Sequence, residues 1–261
     1  MPDTSAPTLT AERYYDGVTE ATARLAGVVA EADETLPIPT CPDWTLRQLT
    51  THVGRAQRWA AEIVARRSAQ AVPLREVPDG RLPDDPAARP DWLTAGAARL
   101  TESVRAGGSD LVWTLTGGGP ASFWGRRMAH ETGIHSADAV LAAGRGYDSP
   151  ADLAADGISE FLGFRALVPG DVAQPLPAEG QTLHLHATDP GLDGGLGEWL
   201  VTRTADGLSV RAGHAKADVA VRGPAATLHL VIMRRLPVTS PGVEVLGDAA
   251  LFDYWLAHTA F

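Results

Sequence analysis

The period of the hydrophobic pattern changes near Pro169, and this change constrains the fold more than any other feature of the chain. Before it, apolar residues recur every three or four positions. Tyr14, Val18, Ala21, Leu25 and Val28 form one stripe between Thr10 and about Asp33, and Leu46, Leu49, Val53, Ala56, Ala60 and Ile63 begin a second that runs to about Ala69. Such spacing predicts amphipathic helices. After Pro169 the pattern alternates by two. QTLHLHATD at 181–189 reads as a half-buried strand, and GEWLVTRTADGLSVRAG reads as a hairpin turning at Asp206-Gly207. The expectation is an α+β protein of two domains: a four-helix bundle within residues 1–168 and a small mixed α/β domain over 175–261.

Local punctuation sets the element ends. Pro37 and Pro39 break the first helix, and Thr45 followed by Gln48 is a capping-box pattern that opens the second. Five prolines between residues 71 and 90 mark a crossing loop. A third helix is expected from an Asp91 cap to Gly107-Gly108, after which SDLVWTLTGGGPASFW reads as a loop. The fourth runs from near Ser122 to Ala143 and stops at Gly144, and Ser149-Pro150 opens a fifth, placed with the bundle. In the second half, KADVAVRG and VEVLGD read as strands, PAATLHLVIMRRL as a helix with proline at its first position, and DAALFDYWLAHTAF as a closing helix.

Composition removes several function classes. Cys41 is the only cysteine, which excludes an intrachain disulfide and a multi-cysteine zinc site. A net charge of −10 argues against nucleic acid as a partner. No apolar run is long enough to span a membrane, and the acidic, polar N-terminus lacks the pattern of a secretory leader, so a cytoplasmic location is expected. Lys216 is the only lysine among 22 basic residues, a bias typical of a GC-rich genome such as an actinobacterial one. The oligomeric state stays open, a monomer included.

The fourth helix carries the chemistry. In MAHETGIHSADAV, Glu131 and His135 stand four apart and so share a helix face, with Cβ atoms roughly 5–6 Å apart. His130 is rotated by about 100° from Glu131 and points elsewhere. A zinc peptidase needs two histidines at i and i+4 with a glutamate base between them. Here the four-spaced pair is a carboxylate and an imidazole, so the spacing suggests two ligands of one ion. A third must come from a facing helix. His52 follows Leu49 by three and precedes Ala56 by four, which directs it toward the bundle interior. The alternatives are ordinary ones: an E-x-x-x-H pair exposed on a surface, and an inward histidine that is simply hydrogen-bonded.

Other features carry less. Gly117-Gly118-Gly119 lacks the G-K-[ST] ending of a phosphate loop and reads as a flexible loop, possible as a pocket rim only by its position. Asp138 lies three past His135 and could accept its ring N–H, although an exposed aspartate is the expectation. His184 and His186 share one strand face, read as half-exposed rather than metal-binding. Cys41, before Pro42, is expected to be structural.

DWTLRQLTTHVGRA and RRMAHETGIHSADAV, in that order and separation, resemble the metal-binding domain of mycothiol-dependent maleylpyruvate isomerases, within the DinB-like superfamily, and the second half is similar to that family's SCP2-like C-terminal domain. The resemblance implies that His52, Glu131 and His135 hold a divalent metal, usually zinc, with one position open. It implies a thiol cofactor or co-substrate, mycothiol, that attacks an electrophilic carbon: an isomerase if the thiol leaves again, an S-transferase if it stays. It also implies an arginine from the C-terminal domain near the substrate. Arg235 is the candidate, ahead of Arg222, although this chain has Arg234 where members often have glycine. A non-catalytic, metal-containing binding or stress-related protein and a metal-assisted hydrolase are the rival readings.

Overall fold

The computed structural model describes residues 9–169, 175–192 and 196–259. Two compact units divide between Tyr147 and Asp148.

The first unit is a four-helix bundle. α1 (Ala11–Glu31) begins where the Thr10 hydroxyl accepts the Arg13 amide. α2 (Leu46–Ala65) begins at Thr45, whose amide and hydroxyl both donate to Gln48 Oε1, at 2.7 and 2.9 Å. α3 (Arg89–Gly107) starts two residues ahead of the expected Asp91 cap, because Pro90 fits the first helical turn, and it ends at Gly108 with φ of +52°. α4 (Ser122–Ala142) carries the MAHETGIH stretch. α1 packs mainly on α4 and α3, and α2 on α3 and α4. Leu25, Leu46, Leu49 and Leu93 fill the shared core.

The glycine-rich segment before α4 is a two-stranded hairpin and not the expected loop. β1 (Leu111–Thr114) pairs antiparallel with β2 (Gly117–Pro120). Three glycines in β2 leave no side-chain alternation to read, and the ladder is made by backbone groups alone.

Two glycines interlock α2 with α3. A Cβ on Gly54 would lie 2.0 Å from the Trp92 ring, and one on Gly96 would lie 2.4 Å from the Arg58 guanidinium. Arg58 in turn sits 4.2 Å from the Trp92 ring centroid and donates to the carbonyls of Gly54 and Trp92, at 3.0 and 2.6 Å. Its burial lowers its pKa to about 10, which still leaves it charged.

The second unit is a five-stranded sheet with three helices in its core. α5 (Ala151–Ala166) belongs here and not with the bundle. Its Ala154, Ala155, Ile158, Phe161 and Leu162 pack into the cluster that holds Leu183, Leu185, Trp199 and Val221. The strands are β3 (Thr182–Ala187), β4 (Glu198–Thr204), β5 (Gly207–Ala212), β6 (Val219–Gly223) and β7 (Glu244–Gly247), in the order β5-β4-β3-β6-β7. Only the β3–β6 pair is parallel. α6 (Ala225–Ile232) and α7 (Ala249–His258) add Leu228, Val231, Phe252 and Trp255 to the same core. Pro224 is the N-cap of α6 rather than its first residue. No described helix is long and apolar enough to cross a membrane.

Candidate metal centre

The connection from α1 to α2 is what shapes the site. Pro37 and Pro39 cannot continue α1, and the chain folds into a tight loop. The Ile38 amide donates to the Trp44 carbonyl at 2.9 Å, and the Trp44 amide donates to the Cys41 carbonyl at 2.8 Å. This brings Thr40 and Cys41 to α4. The Thr40 hydroxyl donates to Asp138 Oδ1 at 2.6 Å, and Cys41 Sγ lies 3.7 Å from Asp138 Oδ2.

Helix packing brings the three expected ligands together. His52 Nε2 is 3.0 Å from Glu131 Oε1, and His135 Nε2 is 3.5 Å from the same oxygen. The two imidazole rings meet edge to face at 4.8 Å between centroids. Arg127, one turn ahead of Glu131, donates to its other oxygen at 3.0 Å. His135 Nδ1 is 2.8 Å from Asp138 Oδ2. Asp138 is 1% exposed, which overturns the expectation of a surface aspartate. The turn that makes it a neighbour of His135 also directs it into the Thr40–Cys41 loop.

The electrostatics follow from this packing. Burial by itself would raise the Glu131 carboxyl. Hydrogen bonds to His135 and His52, with the Arg127 charge, outweigh it and hold Glu131 well below the usual carboxylate range. Burial would lower His135, but its contacts with Asp138, Cys41 and Glu131 raise it well above the ordinary imidazole value.

The donor set fits a divalent metal. One nitrogen of His52, one oxygen of Glu131 and one nitrogen of His135 lie within 4.8 Å of one another. Two imidazoles and a carboxylate are zinc-type ligands. Asp138 engages His135 through Nδ1, which aims Nε2 at Glu131, the orienting contact that ligating histidines generally have. Cys41, His135 and Asp138 form a second donor group on the Nδ1 side of the same ring.

His52 and Glu131 line a pocket of about 660 Å³. Its wall includes Trp44, Trp59, Trp124 and Met128, with Arg47, Arg55 and Arg127 among the polar groups. The Trp44 ring lies 4.8 Å from His52 and 5.8 Å from His135 between centroids, so it covers both. Arg47 is paired with Glu34 at 2.9 Å, while Arg55 contacts the Gly80 carbonyl through Nε at 2.9 Å.

The remaining sequence candidates make the following contacts. His130 is buried against Tyr14, ring to ring at 6.1 Å, and takes no part in the cluster. Arg235, in the second unit, donates to the Met233 carbonyl at 2.7 Å; Arg234 donates to Leu256 O at 2.7 Å, and Arg222 pairs with Glu244. Arg234 has a φ of +59°, a left-handed conformation that favours glycine. Sequence reasoning missed Arg127, Trp44 and the loop residues. Only Arg127 had a readable signal, since Arg127, Glu131 and His135 are spaced by four.

Two family descriptions match the chain: "Mycothiol maleylpyruvate isomerase N-terminal domain" over residues 15–140 and "MDMPI C-terminal domain" over residues 152–253. No curated protein matches in sequence. Among solved structures, a histidine-to-alanine mutant of a mycothiol-dependent maleylpyruvate isomerase superposes with a TM-score of 0.58 at 18% identity, covering 91% of this chain and 93% of that one. A second crystal structure of a mycothiol-dependent maleylpyruvate isomerase gives 0.54 at 19% identity with the same coverage. At that identity the likeness is one of fold.

Proposed function

Because the chain belongs to the mycothiol-dependent maleylpyruvate isomerase family, we propose that it is a cytoplasmic metal-dependent enzyme that uses a low-molecular-weight thiol, mycothiol, on a small unsaturated acid of the maleylpyruvate type. The observation that carries this reading is the convergence of His52 and His135 on one oxygen of Glu131 beside a pocket of about 660 Å³.

In this reading His52, Glu131 and His135 hold zinc. When bound, the metal supplies a Lewis acid that lowers the pKa of a thiol, and the thiol supplies a sulfur that adds to a conjugated double bond and leaves after rotation. The chain's own groups do the rest. Asp138 fixes the orientation of His135, and Arg127 fixes the second oxygen of Glu131. The tryptophan wall keeps water from the nucleophile. Arg55 at the pocket wall is assigned to a substrate carboxylate, for which an arginine fork is suited. Cis–trans isomerisation is favoured over S-transfer because the family description names it.

Purified protein should carry one zinc in the bundle and consume maleylpyruvate only with mycothiol present, giving an isomer without net loss of thiol by mass spectrometry. His52→Ala should lose that metal and the turnover together. Turnover without thiol would make it a hydrolase. A persistent thioether product would make it a transferase. Retained metal with no turnover against a panel of electrophiles would leave a binding protein, and unchanged zinc binding in His52→Ala would overturn the site.

A further inference from the structure

The second unit holds its own cluster of histidines, on the sheet face opposite the helices. Leu183, Leu185 and Ala187 of β3 point into the helix-covered core, so His184 and His186 point the other way. Glu198 on β4 lies directly across from His186, with His186 Nε2 3.5 Å from Glu198 Oε1. Past the end of β5, Gly213 takes a φ of +110° and donates its amide to the Glu198 carbonyl at 3.1 Å. That turn returns His214 over the strand, where Nδ1 reaches Glu198 Oε1 at 3.2 Å. The His214 ring meets the His184 ring edge to face, at 5.1 Å between centroids.

His184 is the decisive residue. It is 3% exposed, and its Nε2 is buried without a hydrogen-bond partner among the described residues. An orphaned buried imidazole nitrogen costs free energy, and structures keep such groups where something outside the chain satisfies them. The expectation of a half-exposed strand face does not account for it.

We propose that His184, Glu198 and His214 form a second divalent-metal site, independent of the bundle. One donor atom from each lies within 4.8 Å of the others. Ligands about 2.1 Å from a tetrahedral ion are about 3.4 Å apart, so small side-chain rotations close the site. Two imidazoles and a carboxylate select zinc or another first-row transition ion over magnesium or calcium. His214 is exposed, which gives an ion access from solvent, and His186 stands beside the open position. Burial, only partly offset by Glu198, lowers the pKa of His184 and keeps it in the neutral form that binds metal. The site ties the turn after β5 to the central strands, so occupancy should raise the melting temperature of this unit.

The test is a zinc titration against a competing chromophoric chelator, after stripping, on wild type, His52→Ala, His214→Ala and the double variant. Wild type should bind two equivalents, each single variant one, and the double variant none. His214→Ala is at a surface position and should fold and keep thiol-dependent turnover. Glu198→Gln should also bind one equivalent, which guards against an effect peculiar to position 214. Unchanged stoichiometry in both His214→Ala and Glu198→Gln overturns the proposal. So does His52→Ala protein that binds no zinc. Failure of the bundle site reads differently: His52→Ala would then bind as wild type while His214→Ala loses an equivalent.

Discussion

The two histidine–carboxylate clusters are built on the same plan with different supports. In each, one carboxylate oxygen is shared by two imidazole nitrogens: Glu131 Oε1 by those of His52 and His135, Glu198 Oε1 by those of His186 and His214. In the bundle the far side of His135 is held by Asp138, and the far oxygen of Glu131 by Arg127. In the sheet, His184 Nε2 has no hydrogen-bond partner among the described residues. A ligand fixed from behind is presented in one orientation, whereas one that is only buried must find it on binding. The bundle cluster should therefore be the tighter and catalytic one, and the sheet cluster the weaker.

The largest expected effect tests that contrast directly. Glu131→Ala should reduce thiol-dependent turnover by more than about 100-fold, beyond what an outer contact costs. Glu198→Gln should leave turnover within about twofold in the same steady-state assay. Equal losses would erase the distinction. Asp138→Asn comes next. It should weaken zinc binding in the bundle by about 10–100-fold, read by chelator competition, and leave the sheet equivalent untouched.

The smallest effect is one of sign. In chelator-treated protein, His135 has a raised pKa, so its contribution is complete below 6.5 and is lost as pH climbs through its folded value. Glu131 has a lowered pKa, so its contribution is present above 4.5 and lost as pH falls through its folded value. His184 has a lowered pKa and is the reverse of His135: stability rises with pH from its folded value up to 6.5. Moving from pH 5 to 8 should therefore cost the bundle and favour the sheet unit. Melting curves of Glu131→Gln and His184→Asn against wild type should show difference profiles of opposite slope. Parallel slopes would refute the assignment.

The period of the apolar pattern carried most of the fold. Helix stripes, the Thr45–Gln48 cap and the β4–β5 hairpin all appear in the structure because each is written in neighbouring residues, although the hairpin turns at Ala205-Asp206, one residue before the expected Asp206-Gly207, and Gly207 opens β5. What failed to read was tertiary. The stripe of α5 shows that Leu153, Ile158 and Phe161 need burial, but not whether a bundle or a sheet supplies it. β2 could not announce itself with glycines. In the site, helical spacing placed His52, Glu131 and His135 on converging faces. The buried state of Asp138 depends on Thr40 and Cys41, almost a hundred residues earlier, and the strand spacing of His184 gave no hint of its orphaned nitrogen.

The interlock of α2 with α3 bears on how a mutational scan of this chain would be interpreted. Gly54 lies two residues from His52, and its missing side chain is what seats Trp92. Gly54→Ala forces that ring aside and should cost about 1–3 kcal/mol by the usual penalty for overfilling a core, seen as a lower melting temperature. Gly96, Arg58 and Trp92 should behave alike. A screen that scores survival would thus rank these four positions with the ligands and draw a false active site on the wrong seam. Scoring residual zinc in the folded fraction would separate the two sets, since a shifted seam loses protein before it loses metal.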